Sequence, residues 1–176
     1  MDKEYLLETE RLRVRKFIPE DAESLYENHL DGQVARWFPN ECYADIDEAR
    51  GAIDFYADCV NRMRLPYVLA VELKESGELI GDAGVNAVKS DPNEVEVGYV
   101  IFKPYRGRGY ATELMSAIIK LLVDTFGTEY LYGRVLCGNL ASARVLEKCG
   151  YTLLREEMGA EDDPYGNGVL VYRLTI

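Results

Sequence analysis

Residues 97–115, Val-Gly-Tyr-Val-Ile-Phe-Lys-Pro-Tyr-Arg-Gly-Arg-Gly-Tyr-Ala-Thr-Glu-Leu-Met, pass from an alternating apolar stretch through a glycine-rich turn into a strongly apolar helical pattern. Gly107 and Gly109 lack the Cβ that would keep backbone N–H groups away from a small anion. A helix starting at this turn adds its own unpaired N–H groups and the positive end of its dipole. Residue types in this order suit a phosphate, so a phosphorylated cofactor is expected. The lysine-containing P-loop needs Gly, four residues, Gly, Lys and Ser or Thr, a run the chain lacks. A dinucleotide fingerprint needs three glycines opening a βαβ unit and a downstream acidic residue. Gly107 and Gly109 meet that pattern only in part, with Ala111 two positions on rather than three.

Other residue types limit the chemistry. Cys42, Cys59, Cys137 and Cys149 show no C-x-x-C spacing and His29 is the only histidine, so neither a zinc site nor a disulfide framework is expected. The cysteines read as small buried hydrophobes or inert surface thiols. His29 closes a short helical pattern, where a C-terminal capping role suffices, and it falls outside every motif-bearing segment. The net charge of −11 argues against sequence-independent nucleic-acid binding, which depends on basic patches. It favours cationic partners, amines and basic peptides among them, and serves solubility equally well.

A chain of 176 residues, 48% of them hydrophobic, is expected to form one domain spanning 1–176. No stretch reaches the ~20 apolar residues of a membrane helix. The start, Met-Asp-Lys-Glu-Tyr, is charged and lacks the apolar region of a signal peptide, so a cytoplasmic location is expected, without a membrane partner. Monomer and homodimer both remain open.

Leu12 and Val14 alternate with arginines as in a half-buried strand. Pro19 precedes a short helix carrying Ala22, Leu25 and Tyr26. A second helix is expected from about Asp45 to Met63, opened by a capping-box pattern at Asp45 and Glu48. Trp37, Phe38, Pro39 and Tyr43 form an aromatic loop between these helices, suited to core packing or to the wall of a substrate site. Apolar runs at 66–73 and 79–88 read as a hairpin. Asp91-Pro-Asn93 marks a turn before a strand from about Glu94 to Phe102. A helix from Gly107 to about Phe126 follows, then a strand at 130–136, a helix at 140–148 ended by Gly150, and strands near 151–156 and 168–175. This order predicts an α/β fold: a mixed, mostly antiparallel sheet with helices on both faces.

The spacing Arg106-x-x-Gly109-x-Ala111 resembles the pyrophosphate loop of the GNAT N-acetyltransferase superfamily. Arg11-Leu-Arg-Val-Arg15 with Pro19-Glu-Asp-Ala22 resembles that family's first strand and helix. Leu79-Ile-Gly-Asp-Ala-Gly84 is similar to its third strand, and residues 139–151, from Asn139 to Tyr151, to its last helix. The segments span nearly the whole chain in the family's order, and the branch most resembled contains the ribosomal-protein N-terminal acetyltransferases.

The resemblance implies acetyl-CoA as cosubstrate, without a metal, and an amine as acceptor, either a protein N-terminus or a small molecule. Backbone groups of Arg106, Gly107, Arg108, Gly109, Tyr110 and Ala111 would hold the pyrophosphate, with charge from Arg106 and Arg108 unless both are simply exposed. Tyr99, Val100 and Ile101 would pair with the amides of the pantetheine arm as an added strand does. Asn139 resembles the asparagine that contacts this arm, and it also suits an N-cap. Glu96, beside the thioester-binding strand, is the first candidate for the base that takes the amine's proton. Glu161, in the acidic loop Glu161-Asp-Asp-Pro164, is the second, although that loop also reads as a solvated charge run. The family often carries a tyrosine seven residues after the asparagine as proton donor to the thiolate, and this chain has Leu146 there. Ser142, one helical turn after Asn139, is the substitute donor, or a helix cap. Direct transfer in a ternary complex is expected, since no cysteine has a nucleophile's setting. A non-catalytic CoA-binding sensor of the same fold is the alternative, and another acyl group, such as succinyl, also stays open.

Overall fold

Leu114, Met115, Ile118 and Leu122 recur at helical spacing and all four are fully buried, the inward stripe of the long helix that the apolar pattern predicts. The computed structural model describes residues 3–38, 42–88, 91–158 and 168–176. Its elements are β1 (Tyr5–Glu8), β2 (Leu12–Arg15), α1 (Ala22–His29), α2 (Gly32–Trp37), α3 (Ile46–Asn61), β3 (Tyr67–Leu73), β4 (Leu79–Val88), β5 (Asp91–Ile101), α4 (Tyr110–Phe126), β6 (Tyr130–Leu136), α5 (Leu140–Lys148), β7 (Thr152–Glu157) and β8 (Val169–Thr175), with single 3-10 turns at Pro19–Asp21 and Lys103–Tyr105.

The strands form one eight-stranded sheet in the order β1-β2-β3-β4-β5-β6-β8-β7. All neighbours are antiparallel except β5 and β6, which are parallel. A parallel pair needs a crossover, and α4 provides it. One core lies between the sheet and the α4–α5 layer, where Leu12, Leu69, Val71 and Ile80 meet Leu114, Ile118 and Leu146. The opposite face packs Ala70, Val100 and Phe102 against Leu25, Val34 and Ile53 of α1, α2 and α3. The mixed sheet with helices on both faces is therefore as the sequence predicts.

Local chemistry sets the element ends. Asp45 Oδ1 accepts the Glu48 N–H at 2.9 Å, and Glu48 reaches back to the Ala44 N–H at 2.5 Å, one residue before the reciprocal contact of a capping box. After α5, the Gly150 N–H donates to Glu147 O and the Tyr151 N–H to Leu146 O, the paired bonds of a Schellman ending.

One strand was missed and two expectations need correction. β1 was not legible, because Tyr5-Leu-Leu-Glu8 is four residues long, has no alternation and gains its pairing from β2 with an irregular register. Trp37 ends the six-residue helix α2 instead of lying in a loop; Asp31 caps this helix by accepting the Gln33 N–H at 3.3 Å. Residues 91–93 belong to β5 rather than to a turn.

A buried ionic cluster ties β2 to β3 and to the 3-10 turn. Arg15, 1% exposed, donates through both terminal nitrogens to Asp21 at 2.7 and 2.9 Å and through Nε to Glu72 at 3.0 Å. Lys3 adds a second cation on Glu72.

Candidate functional site

The ladder between β5 and β6 has two rungs, Val95–Leu131 and Glu96–Tyr132. Beyond Glu96, β5 stays paired with β4 while β6 stays paired with β8, so the two strands diverge. One backbone edge of residues 97–101 is thereby left without a neighbouring strand, and of its groups Ile101 O is taken by Arg106 Nε. α5 lies close over β6 at Gly133: a Cβ there would lie 2.7 Å from Leu146 Cδ1. Leu146, 2% exposed, is a core residue packed against the strand.

At the C-terminal end of β5 the chain makes the glycine-rich turn. Gly107 (φ 74°) and Gly109 (φ 84°) both occupy the left-handed region, which lets consecutive N–H groups face the same side. Gly109 is the N-cap of α4, and the helix's first bond runs from the Glu113 N–H to Gly109 O at 3.1 Å. The N–H groups of 110–112 therefore have no acceptor within the helix.

Side chains hold this turn from outside. Arg106 Nε donates to Ile101 O at 2.7 Å, and its Nη1 donates to Asp31 Oδ2 at 2.7 Å and Gln33 Oε1 at 3.1 Å. Burial pushes the Asp31 carboxyl up, but the Gln33 N–H and Arg106 outweigh it and hold it below the usual range. Arg11 donates to Arg108 O at 3.0 Å and to Glu113 at 2.7 Å, with its guanidinium 4.4 Å from the Tyr110 ring centre. The Arg106 guanidinium thus braces the turn against the start of α2. Arg108 lies over Tyr105 at 6.0 Å.

A cavity of about 490 Å³ opens at this turn, a volume within the range of small-ligand sites. Its wall includes Tyr99, Val100, Ile101, Arg106, Gly107, Gly109, Tyr110, Ala111, Asn139 and Ser142, every predicted cofactor residue except Arg108. Sequence reasoning missed the α2 side, Gln33 and Val34, and the α5 cations Arg144 and Lys148. The i,i+4 spacing of the two cations was a readable signal for a shared helix face; α2 had only the short capping pattern at Asp31.

Asn139 Oδ1 accepts the Ser142 N–H at 3.2 Å, so Asn139 is the N-cap of α5 and Ser142 is not a cap. The Tyr99 hydroxyl donates to Ser142 Oγ at 3.4 Å. Burial pushes the Tyr99 phenol up and outweighs the lowering hydrogen bond with Ser142, so it stays protonated at neutral pH. Glu96 occupies the last β5–β6 rung, its carboxylate 3.9 Å from Arg134 Nε. Glu96, Tyr99, Asn139 and Ser142 together border a smaller cavity of about 100 Å³. On the α1–α3 side of β5 lies a third cavity, of about 200 Å³, and Phe38 and Tyr99 border all three. Trp37, Phe38 and Tyr43 thus line cavities; Pro39 and Glu161 lie outside the described residues.

Among the described residues, no group of three His, Cys, Asp or Glu side chains is placed to hold a metal ion. No helix there is long and apolar enough to cross a membrane.

A splayed sheet over an amide-bearing turn defines the acyl-CoA N-acyltransferase architecture. Residues 11–152 match the family model of the acetyltransferase (GNAT) domain, and the chain belongs to that family. It is an acetyl-CoA-dependent acetyltransferase. The uncharacterized N-acetyltransferase YoaA of Bacillus subtilis is 28% identical over 167 residues, covering 93% of this chain and 94% of that protein. The crystal structure of a GNAT-family acetyltransferase from Bacillus anthracis superposes with a TM-score of 0.80 at 22% identity, covering 96% of this chain and 97% of that one. RimL, a ribosomal L7/L12 α-N-protein acetyltransferase solved with coenzyme A, superposes with a TM-score of 0.80 at 16% identity over 98% of both chains.

Proposed function

We propose that this chain transfers an acetyl group from acetyl-CoA to a primary amine, a small molecule or a protein N-terminus, by direct attack in a ternary complex. The observation that carries this reading is that the amide-bearing turn and the open edge of β5 face one cavity, which meets a second cavity across Tyr99. The fit to the cosubstrate is chemical as well as spatial. Unpaired N–H groups at 110–112 and the left-handed glycines suit the diphosphate, with Arg144 and Lys148 at the rim. The open strand edge suits the amides of the pantetheine arm. Acetyl-CoA supplies the thioester carbon that the amine attacks.

The chain's own residues do the rest. A backbone N–H within 97–101 donates to the carbonyl oxygen as charge develops there. Glu96 takes the proton from the attacking nitrogen. The Ser142 hydroxyl, with Tyr99 behind it, offers a proton to the departing sulfur. An α-amine, with pKa ~7.7–8.0, needs less help to become neutral than a lysine amine at ~10.4.

Thiol release from acetyl-CoA across a panel of amines and peptide N-termini tests the reading, together with calorimetric titration of CoA. Release that depends on an acceptor is the expected result. Binding of CoA without release from any acceptor would favour the non-catalytic sensor, in line with Leu146 replacing the family tyrosine.

A further inference from the structure

The connection between β1 and β2 reaches the glycine turn through one side chain, Arg11. Its Nη1 donates to Arg108 O at 3.0 Å, across 97 positions of chain. Its Nε donates to Glu113 Oε2 at 2.7 Å and its backbone N–H to Glu113 Oε1 at 2.9 Å. A Cβ built at Gly109 would lie 3.5 Å from Arg11 Nη2, so the guanidinium backs directly onto the turn. Neither Arg11 nor Arg108 lines the cavity of about 490 Å³, while Gly107, Gly109 and Tyr110 do. Arg11 therefore holds the turn from the side away from the ligand space.

That contact sets the direction of a donor. In a trans peptide the C=O and the N–H point to opposite sides, and the Arg108–Gly109 bond is trans. With Arg108 O drawn to Arg11, the Gly109 N–H is turned toward the cavity. Glycine at 109 leaves the reverse orientation of this peptide sterically open. Reversal would aim a carbonyl oxygen at the phosphate and repel it. The Arg11 contact selects the first orientation.

Glu113 poses a second problem for an anion, because it is the acidic residue in the first turn of α4. A phosphate held at the same helix end would meet that charge. Burial pushes the Glu113 carboxyl up, but hydrogen bonds from Thr9 and Arg11 outweigh it and hold it below its ordinary value. Oε1 accepts the Thr9 hydroxyl at 2.5 Å as well as the Arg11 N–H, and Oε2 accepts Arg11 Nε. The carboxylate is thus tied to the β1–β2 connection, with the Arg11 charge against it.

We propose that Arg11 is a positioning residue for the cosubstrate's diphosphate, fixing the Gly109 N–H toward the phosphate oxygens and neutralising Glu113 beside them. The inference rests on the acetyltransferase reading above. Arg106 ties the same turn to α2, whereas Arg11 orients the peptide within it. Because Arg11 lies outside the cavity, its loss weakens cofactor binding and leaves the chemical step intact.

The test compares the wild type with Arg11→Gln and Arg11→Lys. Calorimetry titrates CoA and adenosine 3′-phosphate 5′-diphosphate, the nucleotide half that carries the diphosphate without the pantetheine arm. Thiol release with the acceptor that the amine panel selects gives KM and kcat, and urea midpoints check the fold. Arg11→Gln should raise the Kd of both ligands, and the KM for acetyl-CoA, by about tenfold or more. Its kcat should stay within about twofold of the wild type. Arg11→Lys keeps a cation for Glu113, but one compact ammonium does not also span to Arg108 O, so the same split should appear at smaller size. That variant decides the matter if Arg11→Gln does not fold. Wild-type affinity in the variants overturns the proposal. So does a fall in kcat without a change in KM, or a loss confined to CoA that spares the nucleotide half. Should no acceptor release thiol, the acetyltransferase reading fails and calorimetry alone decides Arg11. Binding of the nucleotide half that the variants weaken then sustains its role, and no binding to the wild type removes it.

Discussion

Gly109 and Glu96 do different work, and substitution separates them. Gly109 holds φ at 84°, and a valine there combines left-handed strain with a branched side chain over the N–H groups of the turn. Gly109→Val should raise the apparent KM for acetyl-CoA roughly tenfold or more, as read by initial rates and CoA titration. Unchanged cofactor affinity would remove the turn from the site. Glu96 lies at the rung where β5 and β6 part, 3.9 Å from Arg134 Nε. Glu96→Gln should lower kcat by about a hundredfold while CoA affinity stays the same; full turnover would exclude it as the base. The glycines and Glu96 were visible as residue types in order. The engagement of Arg106 with Asp31 and Gln33 was not, because these partners are 75 and 73 positions away in the chain.

Among the elements, α5 is the one whose packing departs from the family's chemistry. Leu146 fills the space over Gly133 that lets this helix approach β6. A tyrosine at that position would have to displace a well-packed core. Leu146→Tyr should therefore destabilise the fold by about 1–3 kcal/mol, measured by urea denaturation, instead of raising turnover. An undiminished midpoint with a faster enzyme would show that the helix can accommodate the ring as a proton donor. The start of this helix was legible in Asn139, which caps it, and its end in Gly150. α2 was far less so: its six residues bury only Val34, and it lines the cavity because Arg106 of a distant turn meets its cap residue.

For the whole molecule, the ionic cluster of Arg15, Asp21 and Glu72 sets an acid limit on stability. Burial pushes the Glu72 carboxyl up, but hydrogen bonds from Lys3 and Arg15 outweigh it and hold it below its ordinary value. A carboxylate lowered in this way contributes stability that is fully present above about pH 4.3 and is lost as pH falls through its lower folded value. Urea midpoints should therefore drop from about pH 4.3 downward, and Glu72→Gln should cost about 3 kcal/mol at neutral pH by leaving Arg15 short of a counter-charge. A variant as stable as the wild type would show that Asp21 alone neutralises Arg15. The chain by itself fixed the long helix after the glycine turn, the cap of α5 and the alternating strands, since each depends on residues within a few positions of one another. Tertiary structure alone decided where β5 and β6 part and which arginines brace the turn. Those outcomes depend on strand register and on contacts between segments far apart in sequence, and a one-residue shift of register would move every such side chain to the other face of the sheet.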